Sequence, residues 1–153
     1  MSGELATFLT AMTPIGELRA AIPLALGVYK MSPLSAFFWS ILGNISAAAI
    51  VLLLIKPVSD FLINRFSIFE RFFNFLFART RKKFSDTQIK WGSLALIIFE
   101  AIPLPVTGGW SGALAAYLFG IPFRRALFLI SVGIIFAGLI VTGAILGVIK
   151  AFY

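Results

Sequence analysis

Two runs without a single charged residue, Leu34 to Ile55 and Ala126 to Ile149, dominate what this chain can become. Each is long enough to cross the roughly 30 Å hydrocarbon core of a bilayer, which takes about 20 helical residues. In lipid every backbone N–H and C=O needs an internal partner, so both runs are predicted to be membrane helices. Ser32-Pro33 marks the start of the first, because proline's missing N–H is not needed in a first turn. Lys56-Pro57 is predicted to close it. Composition agrees: 60% of the 153 residues are hydrophobic and only 12% are charged. A soluble domain of this length needs more charge to cover its surface.

The net charge of +7 is concentrated in the middle third, at Arg65, Arg71, Arg79, Arg81, Lys82, Lys83 and Lys90. A cytoplasmic loop obeying the positive-inside bias explains this run better than nucleic-acid binding does. There is no cysteine and no histidine. That removes disulfides, thiol chemistry, the commonest metal ligand and the usual near-neutral base. No serine is paired to a base, so an enzyme is not expected, and neither is a cofactor. The N-terminus shows no basic n-region and no small-residue cleavage site, so no removable signal peptide is expected.

Between the charge-free runs lies a stretch with two faces. Leu62, Phe66, Phe69, Phe73 and Leu76 fall on one side of a helix, and Asn64, Ser67, Arg71 and Asn74 on another. Such a helix either lies in the membrane interface or packs its aromatic stripe on the protein's own helices.

Two further segments are apolar but broken. Residues 4–29 carry Glu17-Leu-Arg-Ala-Ala-Ile-Pro23, and residues 91–119 carry Glu100-Ala-Ile-Pro-Leu-Pro105 followed by Thr107-Gly-Gly-Trp-Ser-Gly112. Pro23, Pro103, Pro105, Gly108 and Gly109 are the expected break points. Ala21-Ile-Pro-Leu24 recurs as Ala101-Ile-Pro-Leu104, and each copy precedes a second proline (Pro33, Pro122) and a long helix with an early glycine (Gly43, Gly133). The chain therefore divides into a first repeat over 1–56, a cytoplasmic basic and amphipathic linker over 57–90, and a second repeat over 91–153. With the linker inside, Arg124 and Arg125 also fall inside, and the two repeats take inverted topology. Each is expected to be a re-entrant helical hairpin followed by a transmembrane helix. If both broken segments crossed fully, Arg124 and Arg125 would lie outside, against the charge bias.

Charged side chains at membrane depth cost about 3 kcal/mol each by insertion scales, so they are functional candidates by default. Glu17 and Arg19 form either a proton-coupling or headgroup-binding pair, or the polar start of a helix at the interface. Glu100 either carries a proton or a cargo contact, or accepts structural hydrogen bonds from backbone amides of the opposite hairpin. Thr107, Trp110 and Ser111 offer hydroxyl and indole donors to a cargo, while the glycines around them serve tight helix packing equally well.

Glu17 to Pro23, taken with Ala101-Ile-Pro-Leu-Pro-Val-Thr-Gly-Gly-Trp-Ser-Gly-Ala-Leu114, resembles the small multidrug export protein family over nearly the whole chain. Val106 stands where that motif favours a smaller residue. The family is similar to the DedA membrane proteins, which pair re-entrant hairpins with acidic and arginine residues. The resemblance implies a small proton-coupled transporter of the cytoplasmic membrane that moves a lipid or an amphiphilic cargo. By motif match it carries the candidate site to Glu17, Arg19 and Pro23, and to Glu100, Pro103, Pro105, Gly108 and Trp110. A homodimer would help bury the polar groups. The alternative is a non-transporting scaffold that binds lipid or assists membrane assembly.

Overall fold

A computed structural model describes residues 2–81, 86–103 and 108–152. Among these residues every regular element is helical. Helix α1 spans Gly3–Met12, α2 spans Glu17–Pro23 and runs into a π-helical turn at Leu24–Val28, and α3 spans Pro33–Arg65. Then follow α4 (Ser67–Arg81), α5 (Asp86–Ala101), α6 (Gly109–Leu118) and α7 (Phe123–Phe152). Among the described residues α3 and α7 are the helices long and apolar enough to cross a membrane.

The starts follow local chemistry. The Ser2 and Ser32 hydroxyls accept the N–H groups of Leu5 (3.4 Å) and Ser35 (3.3 Å), and Pro33 occupies the first helical position of α3. The end of α3 differs from expectation. Lys56-Pro57 does not close it, and the helix continues to Arg65. A proline removes one ladder bond and crowds the turn before it, which bends a helix without ending it where both flanks remain helical. The amphipathic stretch is consequently divided. Phe66 is extended (φ −136°, ψ 116°) and separates the last turns of α3 from α4. Ile68, Phe69 and Phe72 of α4 are exposed, so its aromatic face is not buried among the protein's own helices.

Small residues bring the helices together. Ala21, Ala25, Ala36, Ala48, Ala113 and Ala116 are fully buried, as expected where packing rather than water drives association. Two glycines set the closest approaches. Gly43, ten residues into α3, faces the Phe8 carbonyl and the Ala11 side chain of α1. Gly133, ten residues into α7, faces the Ile97 carbonyl and the Glu100 side chain of α5. In both places a long helix, α3 or α7, holds a shorter one, α1 or α5, against a bare Cα.

Matching the halves on these glycines changes their register. Gly43 pairs with Gly133, Pro33 with Phe123, and left-handed Lys30 (φ 51°) with left-handed Gly120 (φ 68°), each ninety residues apart. The shared tetrapeptide does not follow this register. Its first copy lies at the end of α2, and its second begins at the end of α5. Glu17, which opens α2, corresponds in order to the Gly108–Gly109 start of α6. Against Gly133, Glu100 takes the place that Ala11 of α1 takes against Gly43.

Candidate functional site

Glu17 is the first residue of α2 and has φ 42°, a left-handed conformation that a side-chain-bearing residue adopts at a cost of order 1–3 kcal/mol. The turn before it is tied by the Thr13 hydroxyl, which donates to the Thr10 carbonyl (2.8 Å) and accepts the Gly16 N–H (2.9 Å). This turn aims the Glu17 carboxylate at the start of α6, where it lies on the bare Cα of Gly108. A side chain at Gly108 would occupy the space of that carboxylate. The position suits a negative charge, since the N-terminal N–H groups of a helix carry partial positive charge.

Glu100 stands at the end of α5 and is 1% exposed. Its side chain is enclosed by glycines on two sides. Gly133 of α7 admits its Cβ, and Gly112 of α6 admits its carboxylate. Among the described residues neither carboxylate oxygen has a hydrogen-bond partner within standard geometry. The nearby Gly112 N–H is already given to the Gly108 carbonyl at 2.9 Å. The Gly112 amide is the backbone group that faces this carboxyl. A buried carboxyl with no partner is costly, and its retention calls for an explanation beyond packing.

Asn44 of α3 completes the arrangement and was not anticipated. It is 1% exposed, and its Oδ1 accepts the Gly109 N–H at 3.1 Å. Its signal in the sequence is the lone amide of the charge-free run Leu34–Ile55, directly after Gly43. Gly112 and Gly133 also read as packing residues, and both turn out to be walls around Glu100.

Glu17, Arg19, Asn44, Glu100, Pro103 and Gly108 line one small cavity, with Ile134 and Val141 of α7 among its apolar walls. Its room for water centres is about 10 Å³, enough for about one water molecule. Arg19 reaches the same cavity, and its Nη2 is buried without a hydrogen-bond partner. The chain thus brings together Glu17, Arg19 and Glu100 from opposite ends of the sequence.

Trp110 has a different place. Its indole N–H donates to the Met12 carbonyl at 2.9 Å and latches the start of α6 to the end of α1. The Ser111 hydroxyl accepts the Gly108 N–H (2.9 Å) and donates to the Gly108 carbonyl (3.0 Å), so it caps α6. Neither donor is free for a cargo in this arrangement. Pro23 lies inside the α2–π-turn segment, and Pro103 follows α5. Pro105 and Thr107 lie outside the described residues, as do Lys82 and Lys83. Among the described residues no group of three or more acidic side chains is placed to hold a metal ion.

No curated protein and no solved structure matches the chain. A family model described as "Putative small multi-drug export protein" matches residues 17–140. That span begins at Glu17 itself and includes both carboxylates, Arg19, Asn44 and the glycines that enclose them. The chain belongs to this family of small multi-drug export-type membrane proteins.

Proposed function

We propose that the protein is a small proton-coupled transporter that carries a lipid or an amphiphilic molecule across the cytoplasmic membrane. One observation carries this reading: Glu17 and Glu100, from two separate broken segments, line one cavity, and among the described residues the buried Glu100 carboxyl has no hydrogen-bond partner. The cavity wall residues Asn44 and Ile134 lie ten or more residues into α3 and α7. At 1.5 Å rise per residue that is about 15 Å, half the thickness of the hydrocarbon core.

In this reading each broken segment is a re-entrant hairpin, and the two enter from opposite faces. Half-helices that meet at mid-depth are how inverted-repeat transporters build a site. The excess of basic residues over 57–90 supports a cytoplasmic linker by the positive-inside bias. Glu17 and Glu100 load and release protons, and Arg19 balances a carboxylate or an anionic headgroup. A homodimer shields the lipid-facing polar groups.

Reconstituted vesicles with an imposed pH gradient test the reading. Wild-type protein should accelerate the movement of a fluorescent phospholipid or of a cationic amphiphilic dye, and Glu100→Gln should abolish the gradient-driven part. Wild-type rates from Glu100→Gln, with unchanged elution in detergent, would remove Glu100 from the mechanism. Failure of wild-type protein to move either cargo would leave the scaffold reading standing.

A further inference from the structure

We propose that Glu17 and Glu100 form one proton-binding unit holding a single proton between them, with Arg19 setting that number. The inference rests on reading both as the proton-carrying groups, and it fixes how many protons one cycle can move.

The geometry comes from α6. Gly108 and Gly112 are joined by the bond from the Gly112 N–H to the Gly108 carbonyl, which stacks them one turn apart on one face. The Glu17 carboxylate lies on the first glycine and the Glu100 carboxylate on the second. Groups at this spacing sit about 6 Å apart. Two full negative charges at that distance, one of them on the fully buried Glu100, repel strongly.

Charge counting supplies the number. Among the cavity-lining residues, α2 contributes Glu17 and Arg19 and α5 contributes Glu100. The lining residues from α3 (Asn44), α6 (Gly108) and α7 (Ile134, Ala137, Val141) carry no charge. Two carboxylates and one guanidinium leave one negative charge in a space with room for about one water. A single proton neutralises the cavity. A second would leave the Arg19 guanidinium, whose Nη2 is buried, uncompensated, which is costly in apolar surroundings.

Infrared difference spectroscopy on the protein in phosphatidylcholine vesicles at neutral pH counts protonated carboxyls without any transport. Wild type should show one per chain. Arg19→Gln should double the signal, and Arg19→Lys should restore it to one. Glu17→Gln and Glu100→Gln should each lose it, because either variant leaves one carboxylate balanced by Arg19. An unchanged signal in Arg19→Gln, or a wild-type signal in either glutamine variant, would show independent sites and overturn the proposal. Loss of the wild-type signal when sodium chloride replaces choline chloride would overturn it in favour of a metal cation. The count can hold when transport fails, and transport can hold when the count is two, so the two readings fail separately.

Discussion

Asn44 Oδ1 accepts the backbone N–H of Gly109 across 3.1 Å, and this buried bond joins the long helix α3 to the start of α6. The N–H is one of the unsatisfied donors at the start of α6, and α3 supplies its partner in place of a local cap. The same contact brings Gly108 within reach of Glu17. A single amide in an otherwise charge-free run thereby sets the position of α6, and with it the spacing of the two carboxyls.

Replacing Asn44 with leucine should therefore destabilise the fold by about 1–3 kcal/mol, the cost of leaving a buried donor without its acceptor. Thermal unfolding in detergent would show it as a lower midpoint. An unchanged midpoint would mean that water or another group takes over the Gly109 N–H.

The glycines of α7 should separate into two classes. A methyl at Gly133 would meet the Glu100 Cβ and lie 3.0 Å from the Ile97 carbonyl, and α5 cannot move without carrying Glu100 with it. Gly133→Ala should cost about 1–3 kcal/mol, as overpacking does. Gly143 and Gly147 have nothing within 4 Å of an added methyl. Alanine there should be neutral or stabilising by up to about 1 kcal/mol through helix propensity. Comparing the three midpoints checks the assignment.

Trp110→Phe keeps the ring and removes the bond to the Met12 carbonyl. Expected is a loss of about 0.5–1.5 kcal/mol, with faster amide hydrogen exchange over residues 12–17. Exchange unchanged in that turn would show that ring packing alone holds the start of α6 to the end of α1.

Much of this was legible in the sequence. Charge-free length gave both membrane helices, and the cost of charge in lipid singled out Glu17, Arg19 and Glu100. The pairing of the halves was not legible from the repeated tetrapeptide, because Ala, Ile, Pro and Leu recur readily in so apolar a chain. The glycines at 43 and 133 carry the register, since only a bare Cα tolerates the approach of α1 and α5. Pro57 misled because a proline interrupts one hydrogen bond rather than a whole helix. Asn44 was passed over because one amide does little to the hydropathy of a long run, although it needs a partner once buried. The break at Phe66 depends on tertiary placement and has no glycine or proline to announce it.

The absence of cysteine makes topology directly measurable, since any introduced thiol is unique. Re-entrant hairpins place residue 4 on the same side as residue 30, and residue 124 on the same side as residue 71. Full crossing of both broken segments moves residue 4 to the side of residue 71, and residue 124 to the side of residue 30. Glu4→Cys, Lys30→Cys, Arg71→Cys and Arg124→Cys alter charged side chains near helix ends, away from the cavity. Labelling each in intact cells with a membrane-impermeant maleimide should modify Glu4→Cys and Lys30→Cys. Arg71→Cys and Arg124→Cys should react only after the membrane is opened. If Arg124→Cys labels from outside and Glu4→Cys does not, the hairpins cross, and the two carboxyls belong to a conventional helical bundle.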